Sequence, residues 1–304
     1  MVGTFPMWRA PSIAYRSGVI DTSIGGRMGI VGCPILEDEI VYLLDRDREL
    51  GDIFVVEDEH SQSLLRKLRL LRPDLLTVKE AEVTELPNSE GRSCLVWMKS
   101  FGLHEDPKKL AKEVVIAAKL IDEQCSVILL AYGLCGNAFK DMNLLFEEVR
   151  SPVVILTDEK GQIVDDCIAA PLGGTDGYLR LLKRYAGVFY MTPAWAEHWR
   201  DLINKMEFTK GTEGGDLETL KMLFEIAGYN RVLRIDTGIG DRDIFHEKVR
   251  EFSKEFNFIE VDLEPGFVST KVVEDAYHKC LILMKDGKEM KGGKVDQCVS
   301  AIPS

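Results

Sequence analysis

From Arg27 onward, short apolar runs alternate with stretches whose apolar residues recur every three or four positions. Residues 27–32 predict a first strand, and Cys33-Pro34 turns it into a helix over residues 35–45. Proline suits the first helical position, where a missing N–H costs nothing, which makes Cys33 the N-cap. Residues 52–56 predict a second strand, followed by a helix from about Ser61 with Leu64, Leu65, Leu68 and Leu71 at helical spacing. Residues 75–86 show no clear period, and residues 87–91 read as a turn. A strand at 94–98 leads through Gly102-Leu103-His104 to Asp106-Pro107, a cap plus proline that opens a helix to about Asp122.

The most informative stretch is 127–137, an apolar strand that runs straight into a cysteine flanked by glycines, Gly133-Leu134-Cys135-Gly136-Asn137. Unbroken apolarity marks a parallel strand covered on both faces. A helix over 139–149 and a strand over 153–156 follow, then a loop through Asp165-Asp166-Cys167 and Gly173-Gly174 into a helix capped by Thr175 or Asp176. Further strands are predicted at 188–191, 232–235, 258–261 and near 280–284. Helices start at Thr192-Pro193, at 217–227 and before Phe256, with a polar segment over 209–215. Such alternation implies right-handed crossovers: an α/β chain, mostly parallel sheets with helices on both faces, in a Rossmann-like two-lobed architecture. The expected division is an irregular N-terminal arm (1–25) lying on the body or a neighbouring subunit of a homo-oligomer, a lobe carrying the cysteines (26–186), and a second α/β lobe (187–304). The tail after Gly287 is polar.

At 304 residues and 45% hydrophobic, the chain can bury a sizeable core. A net charge of −12 leaves no basic excess to neutralise phosphates, which argues against a nucleic-acid or anionic-membrane partner. No apolar run reaches the roughly 18 residues that span a bilayer, and no secretion signal is legible, so a cytoplasmic location is expected. In that reducing setting seven scattered cysteines do not read as a disulfide framework, leaving metal ligation, reactive thiols or plain burial.

Cys33, Cys135 and Cys167 each fall where a βα unit turns over, and in a parallel sheet those turns gather along one edge. A thiolate at a helix N-terminus is also stabilised by the helix dipole. His104, in a glycine-led loop ahead of a capped helix, is the best fourth partner, and three sulfurs plus one nitrogen suit tetrahedral zinc. Three cysteines alone would leave an open position, compatible with catalytic zinc or with a 4Fe-4S cluster that has one free iron. Cys94, Cys125, Cys280 and Cys298 read as buried packing, and His60, His198, His246 and His278 as structural. Asp165 and Asp166 could orient a ligand, act as acid or base, or simply shape the turn. Gly173, Gly174 and Thr175 at a helix start, and Asp236, Thr237 and Gly238 at a strand end, are candidates to hold the anionic end of a cofactor or substrate. Neither has the spacing of a nucleotide P-loop or a dinucleotide fingerprint.

Gly-Leu-Cys-Gly-Asn at 133–137, Asp-Cys-Ile-Ala with a following Leu-Gly-Gly at 166–174, Phe-Tyr-Met-Thr-Pro-Ala-Trp at 189–195 and Ile-Asp-Thr-Gly-Ile-Gly-Asp at 235–241 resemble an uncharacterised domain family of methanogenic archaea and other anaerobes. The resemblance covers about 28–284, with Cys33 and Gly102-Leu103-His104 fitting the pattern. Where such proteins commonly carry His-Asp-Cys this chain has Asp165-Asp166-Cys167, so a histidine from that loop is missing. Members resemble companions of corrinoid-dependent methyl-transfer systems. The resemblance therefore suggests methyl-group or thiol metabolism, in which the metal site read from the cysteines would activate a small-molecule thiol for transfer from a methyl-group donor. It is equally compatible with a non-catalytic accessory protein that binds a metal or corrinoid, or docks on a corrinoid protein or methyltransferase.

Overall fold

A computed structural model describes residues 25–89, 91–205 and 217–289, so the N-terminal arm, the polar segment at 209–215 and the end of the tail lie outside the described residues. Strand β1 (Gly26–Gly32) ends at Cys33, a single helical turn over Pro34–Leu36 follows, and α1 (Glu37–Arg46) continues it. Next come β2 (Leu50–Val56), α2 (Gln62–Leu71) and a short β3 (Leu76–Val78), which resolves the stretch without a period into a three-residue edge strand and a turn of 3-10 helix over Glu80–Glu85. β4 (Arg92–Met98) and α3 (Pro107–Ile121) precede β5 (Val127–Ala131).

These strands and β6 (Val153–Ile155) form one parallel sheet in the order β3-β2-β4-β1-β5-β6. The connection from β1 passes β4 to reach β2, whereas the connection from β4 passes β1 to reach β5. Because the two run in opposite directions, their loops part at the carboxyl ends of β1 and β4, and that crevice is where ligands bind in open α/β sheets. Two glycines of β1 let helices approach from both sides. A Cβ at Gly29 would meet Ile121 of α3 at 2.7 Å, and one at Gly32 would meet Ile40 of α1 at 2.8 Å. Residues 29 and 32 face opposite sides of the strand, which puts α3 and α1 on opposite faces of the sheet.

The helix expected over 139–149 is reduced to α4 (Met142–Leu145) within a series of turns. Asn137, Asp141 and Asn143 favour turns over helix interiors, and the backbone has left-handed φ at Cys135, Gly136 and Asn137 just before it. After α5 (Thr175–Arg184) come β7 (Phe189–Met191), α6 (Pro193–Lys205), α7 (Leu217–Ile226), β8 (Arg231–Arg234), α8 (Arg242–Phe256) and β9 (Ile259–Asp262). The N-cap of α5 is Gly174 at φ 99°, so Thr175 and Asp176 are helical residues rather than caps. β7, β8 and β9 make a second parallel sheet. Phe252 of α8, fully buried, centres its core, with rings of Phe189, Trp195, Trp199, Phe256 and Phe258 around it.

The strand expected near 280–284 lies instead inside α9 (Lys271–Glu289). Val273, Ala276, Tyr277, Cys280, Leu281 and Met284 are buried at three- and four-residue intervals, a helical period that a five-residue window reads as an apolar run. This last helix of the expected second lobe returns to pack on β1, β5 and β6 of the first sheet. Among the described residues no helix is long and apolar enough to cross a membrane.

Candidate functional site

β1 delivers Cys33 at its carboxyl end, where the Cys33 N–H donates to Ala131 O at 3.3 Å and its carbonyl accepts from Leu36 N, so the cysteine sits between strand and helix start. β5 delivers Cys135 through a loop held by two backbone bonds to the segment after β6: Leu134 N to Val164 O at 2.8 Å and Cys135 N to Asp165 O at 2.9 Å. A φ of 45° at Cys135 is left-handed and disfavoured for a residue with a Cβ, by about 1–3 kcal/mol, and these two bonds hold it there. Gly133 is the contact point of the two loops. A Cβ there would meet Val164 O at 2.5 Å and the Asp166 backbone at 2.8 Å, none of which can swing aside.

The result is that Cys33, Cys135 and Cys167 line one cavity. Cys167 is buried, and Cys135 and Cys33 both act on its thiol. The neighbouring Cys135 and Cys33 side chains and burial push the Cys167 thiol well above its usual range. At Cys135, only half-buried, the neighbouring Cys167 side chain, opposed by burial but joined by the Gly133 backbone, lowers the pKa. One thiol of the set is thus prepared to ionise at the expense of another. The trio opens into a cavity of about 290 Å³, walled by Ile35, Phe101, Leu110, Ile168 and Trp195 and reached by Ser100, His104, Tyr132 and Asp166.

His104 therefore lies in the same cavity as the cysteines. Its Nδ1 stands 2.8 Å from Phe101 O, and as an N–H donor there it leaves Nε2 as the available lone pair, the arrangement that orients metal-binding imidazoles. Among the described residues no three or more His, Cys, Asp and Glu side chains are already disposed to hold a metal ion. Asp166 Oδ1 accepts from Ile168 N at 2.9 Å and Ala169 N at 2.8 Å, and its carboxyl bonds to Tyr178, while burial raises its pKa. It shapes the turn that presents Cys167. Asp165 contributes its carbonyl to the Cys135 loop.

The two candidate anion loops do not line this cavity. Gly173 borders a separate groove with Asp176 and Arg180, and Gly174 and Thr175 begin α5 beside it. Asp236 borders another groove, accepts from Gly238 N at 3.0 Å and pairs with Arg242, and the buried Thr237 hydroxyl turns back onto Ile239.

Two features went unread in the sequence. Tyr132, which lines the cavity with the three cysteines, is 2% exposed, its ring lies against Phe139, and its hydroxyl has no hydrogen-bond partner among the described residues. The second is a buried ionic network behind the cavity. Lys67 Nζ lies 2.6 Å from Glu37 Oε1, 2.7 Å from Asp38 Oδ1 and 2.8 Å from Glu197 Oε2, and His198 Nε2 is 3.1 Å from Glu37. Burial alone would raise the Glu37 carboxyl, but Lys67 and His198 hold it at about 2. Burial prevails at Asp38, raised to about 6, and at Glu39, raised to about 8 with the Asp38 charge adding. The sequence signal was available: three consecutive acids at 37–39 span 200° of helix, so they cannot all face solvent on a helix packed against a sheet. The network ties α1, which follows Cys33, to α2 and to α6, which carries Trp195 into the cavity.

A search of curated proteins gives no match. The family described as "Protein of unknown function (DUF1638)" matches residues 98–273, a segment that holds His104, Cys135 and Cys167 and leaves Cys33 to the preceding strand. That span is more than half of the 304 residues, and the chain belongs to this family of unknown function.

Proposed function

We propose that Cys33, Cys135 and Cys167, with His104 as a fourth donor that can yield to substrate, form a zinc site that activates a small thiol for methyl transfer in anaerobic one-carbon metabolism. The observation that carries this reading is that Cys33, Cys135, Cys167 and His104, from four separate segments, line one cavity at the sheet's carboxyl edge. Three sulfurs from three different βα turns, one already biased toward the thiolate, match the donor chemistry of a borderline-soft cation. Bound there, zinc would supply Lewis acidity that lowers the pKa of a substrate thiol. In the transfer itself a sulfur–carbon bond forms as the bond between the methyl carbon and its donor breaks. The electron pair leaves with the donor, a methylated corrinoid in this reading, and the thiol proton passes to solvent. Asp166 and Gly133 keep Cys167 and Cys135 together, and His104 is oriented by Phe101 O.

Protein prepared without oxygen should carry stoichiometric zinc, and Cys135→Ser should lose it. Absence of metal in the parent, with unchanged ligand binding in Cys135→Ser, refutes the site. A brown preparation absorbing near about 400 nm would replace zinc with a site-differentiated iron–sulfur cluster. Stable capture of a corrinoid protein without turnover of any thiol would make the chain an accessory protein.

A further inference from the structure

The cavity's walls also specify what enters it, an inference that rests on reading the three-cysteine cavity as the ligand site. Ile35, Phe101, Leu110, Ile168 and Trp195 supply apolar surface, and among the described residues no lysine or arginine lines the space. The loops best suited to an anion, at Gly173 and at Asp236, border other grooves. A carboxylate or sulfonate carried into this cavity would lose its hydration without a counter-ion, a cost of several kcal/mol in general. A cation fares little better, because the single acid, Asp166, already has its carboxyl bonded to two backbone N–H groups and Tyr178. At about 290 Å³ the space is at the small end of ligand pockets.

Against this apolar wall one polar atom stands out. The Tyr132 hydroxyl is buried and unpartnered, on a residue that lines the cavity together with the three cysteines. A buried hydroxyl left without a partner is costly, and the ring packs against Phe139, so a ligand atom that accepted from this donor would relieve that cost. We infer that the cavity binds a small uncharged thiol or methyl thioether of a few carbons. Its sulfur lies beside the three cysteines and accepts a hydrogen bond from Tyr132, and its carbon body lies on Phe101, Ile168 and Trp195.

The test is anaerobic calorimetric titration of the full chain with propane-1-thiol, 3-mercaptopropionate and 2-aminoethanethiol, alongside zinc uptake measured separately by elemental analysis. Propane-1-thiol should bind at least about tenfold more tightly than either charged analogue. Tyr132→Phe should weaken propane-1-thiol by about five- to tenfold, while the ligand-free variant is at least as stable to urea as the parent, because an unsatisfied hydroxyl has been removed. A structural role for the hydroxyl would instead lower stability and leave affinity unchanged. Binding of either charged thiol within twofold of propane-1-thiol, or full affinity in Tyr132→Phe, overturns the inference whether or not zinc is present. The expected selectivity in a chain that takes up no zinc would sustain it and sink the metal reading instead.

Discussion

Replacing Lys67 by methionine is the sharpest test of how the cavity is supported. The ammonium is the shared partner of Glu37, Asp38 and Glu197 at 2.6–2.8 Å, and the side chains of Glu37 and Asp38 are 0% and 3% exposed. Methionine keeps the length of the stem and removes the charge, leaving two carboxylates out of water without their cation. Breaking one partner from a buried ion pair costs about 3–5 kcal/mol, and the near-total burial here places Lys67→Met toward about 4 kcal/mol. That is a large share of the roughly 5–15 kcal/mol that a domain has. The sign with pH follows from the carboxylates. In the parent, Glu37 at about 2 lies below its unfolded value of 4.5, so it contributes stability above pH 4.5 that is lost as pH falls toward 2. Without Lys67 that contribution vanishes and both carboxyls titrate higher, so the variant regains stability relative to the parent as pH drops below about 6. Urea unfolding followed by tryptophan fluorescence at pH 7.5 and pH 5 reads both effects. A loss under about 1 kcal/mol at pH 7.5, or one that does not shrink at pH 5, would show that the network is not what holds α1, α2 and α6 together.

Other consequences can be checked on the same protein. Glu39, raised to about 8, binds a proton in the folded chain that the unfolded chain has already lost above pH 4.5, so its contribution falls as pH rises from 4.5 through 8. Glu39→Gln should flatten that slope and be more stable than the parent above pH 8 by up to about 4 kcal/mol, measured by urea unfolding across the range. Gly133→Ala forces a methyl against Val164 O and the Asp166 backbone. It should cost about 2–3 kcal/mol and slow diamide-driven formation of a Cys135–Cys167 disulfide, followed by peptide mass mapping; an unchanged rate would mean that the two loops do not depend on this contact. In metal-free protein, iodoacetamide should modify Cys135 ahead of Cys94, Cys125 and Cys280, and at a pH below the ordinary thiol value of 9.0. Earlier labelling of any of those three would contradict the geometry of the trio.

Most of the first sheet could be read from the chain because the signals are local. Asp106-Pro107 and the unbroken apolarity of Val127–Ala131 act over a few residues, and the helix and strand they predict are present. Where prediction failed, competing local signals were too weak to decide. Residues 280–284 have the length of a strand, and only the burial of Val273, Ala276 and Tyr277 upstream reveals that their period is helical. At 139–149 the left-handed backbone through Asn137 ends any helical start, a conformation invisible in composition.

The same division runs through the site. Sequence alone placed Cys33 and Cys135 at the ends of βα units, since a cysteine after an apolar run and before a glycine or proline is a local fact, and Cys167 in the loop that leads to the next helix. Whether those ends meet depends on strand order, and strand order is set by long-range packing. β1 lies between β4 and β5, with glycines at 29 and 32 giving a helix room on each face, and Gly133 lets the loop of Cys135 touch the loop of Cys167. Tertiary structure alone also made Tyr132 a buried, unpartnered donor and gathered Glu37, Asp38, Lys67, Glu197 and His198 into one network. A side chain's desolvation and its partners belong to the neighbours that folding brings, and those neighbours come from elements as much as 161 residues away.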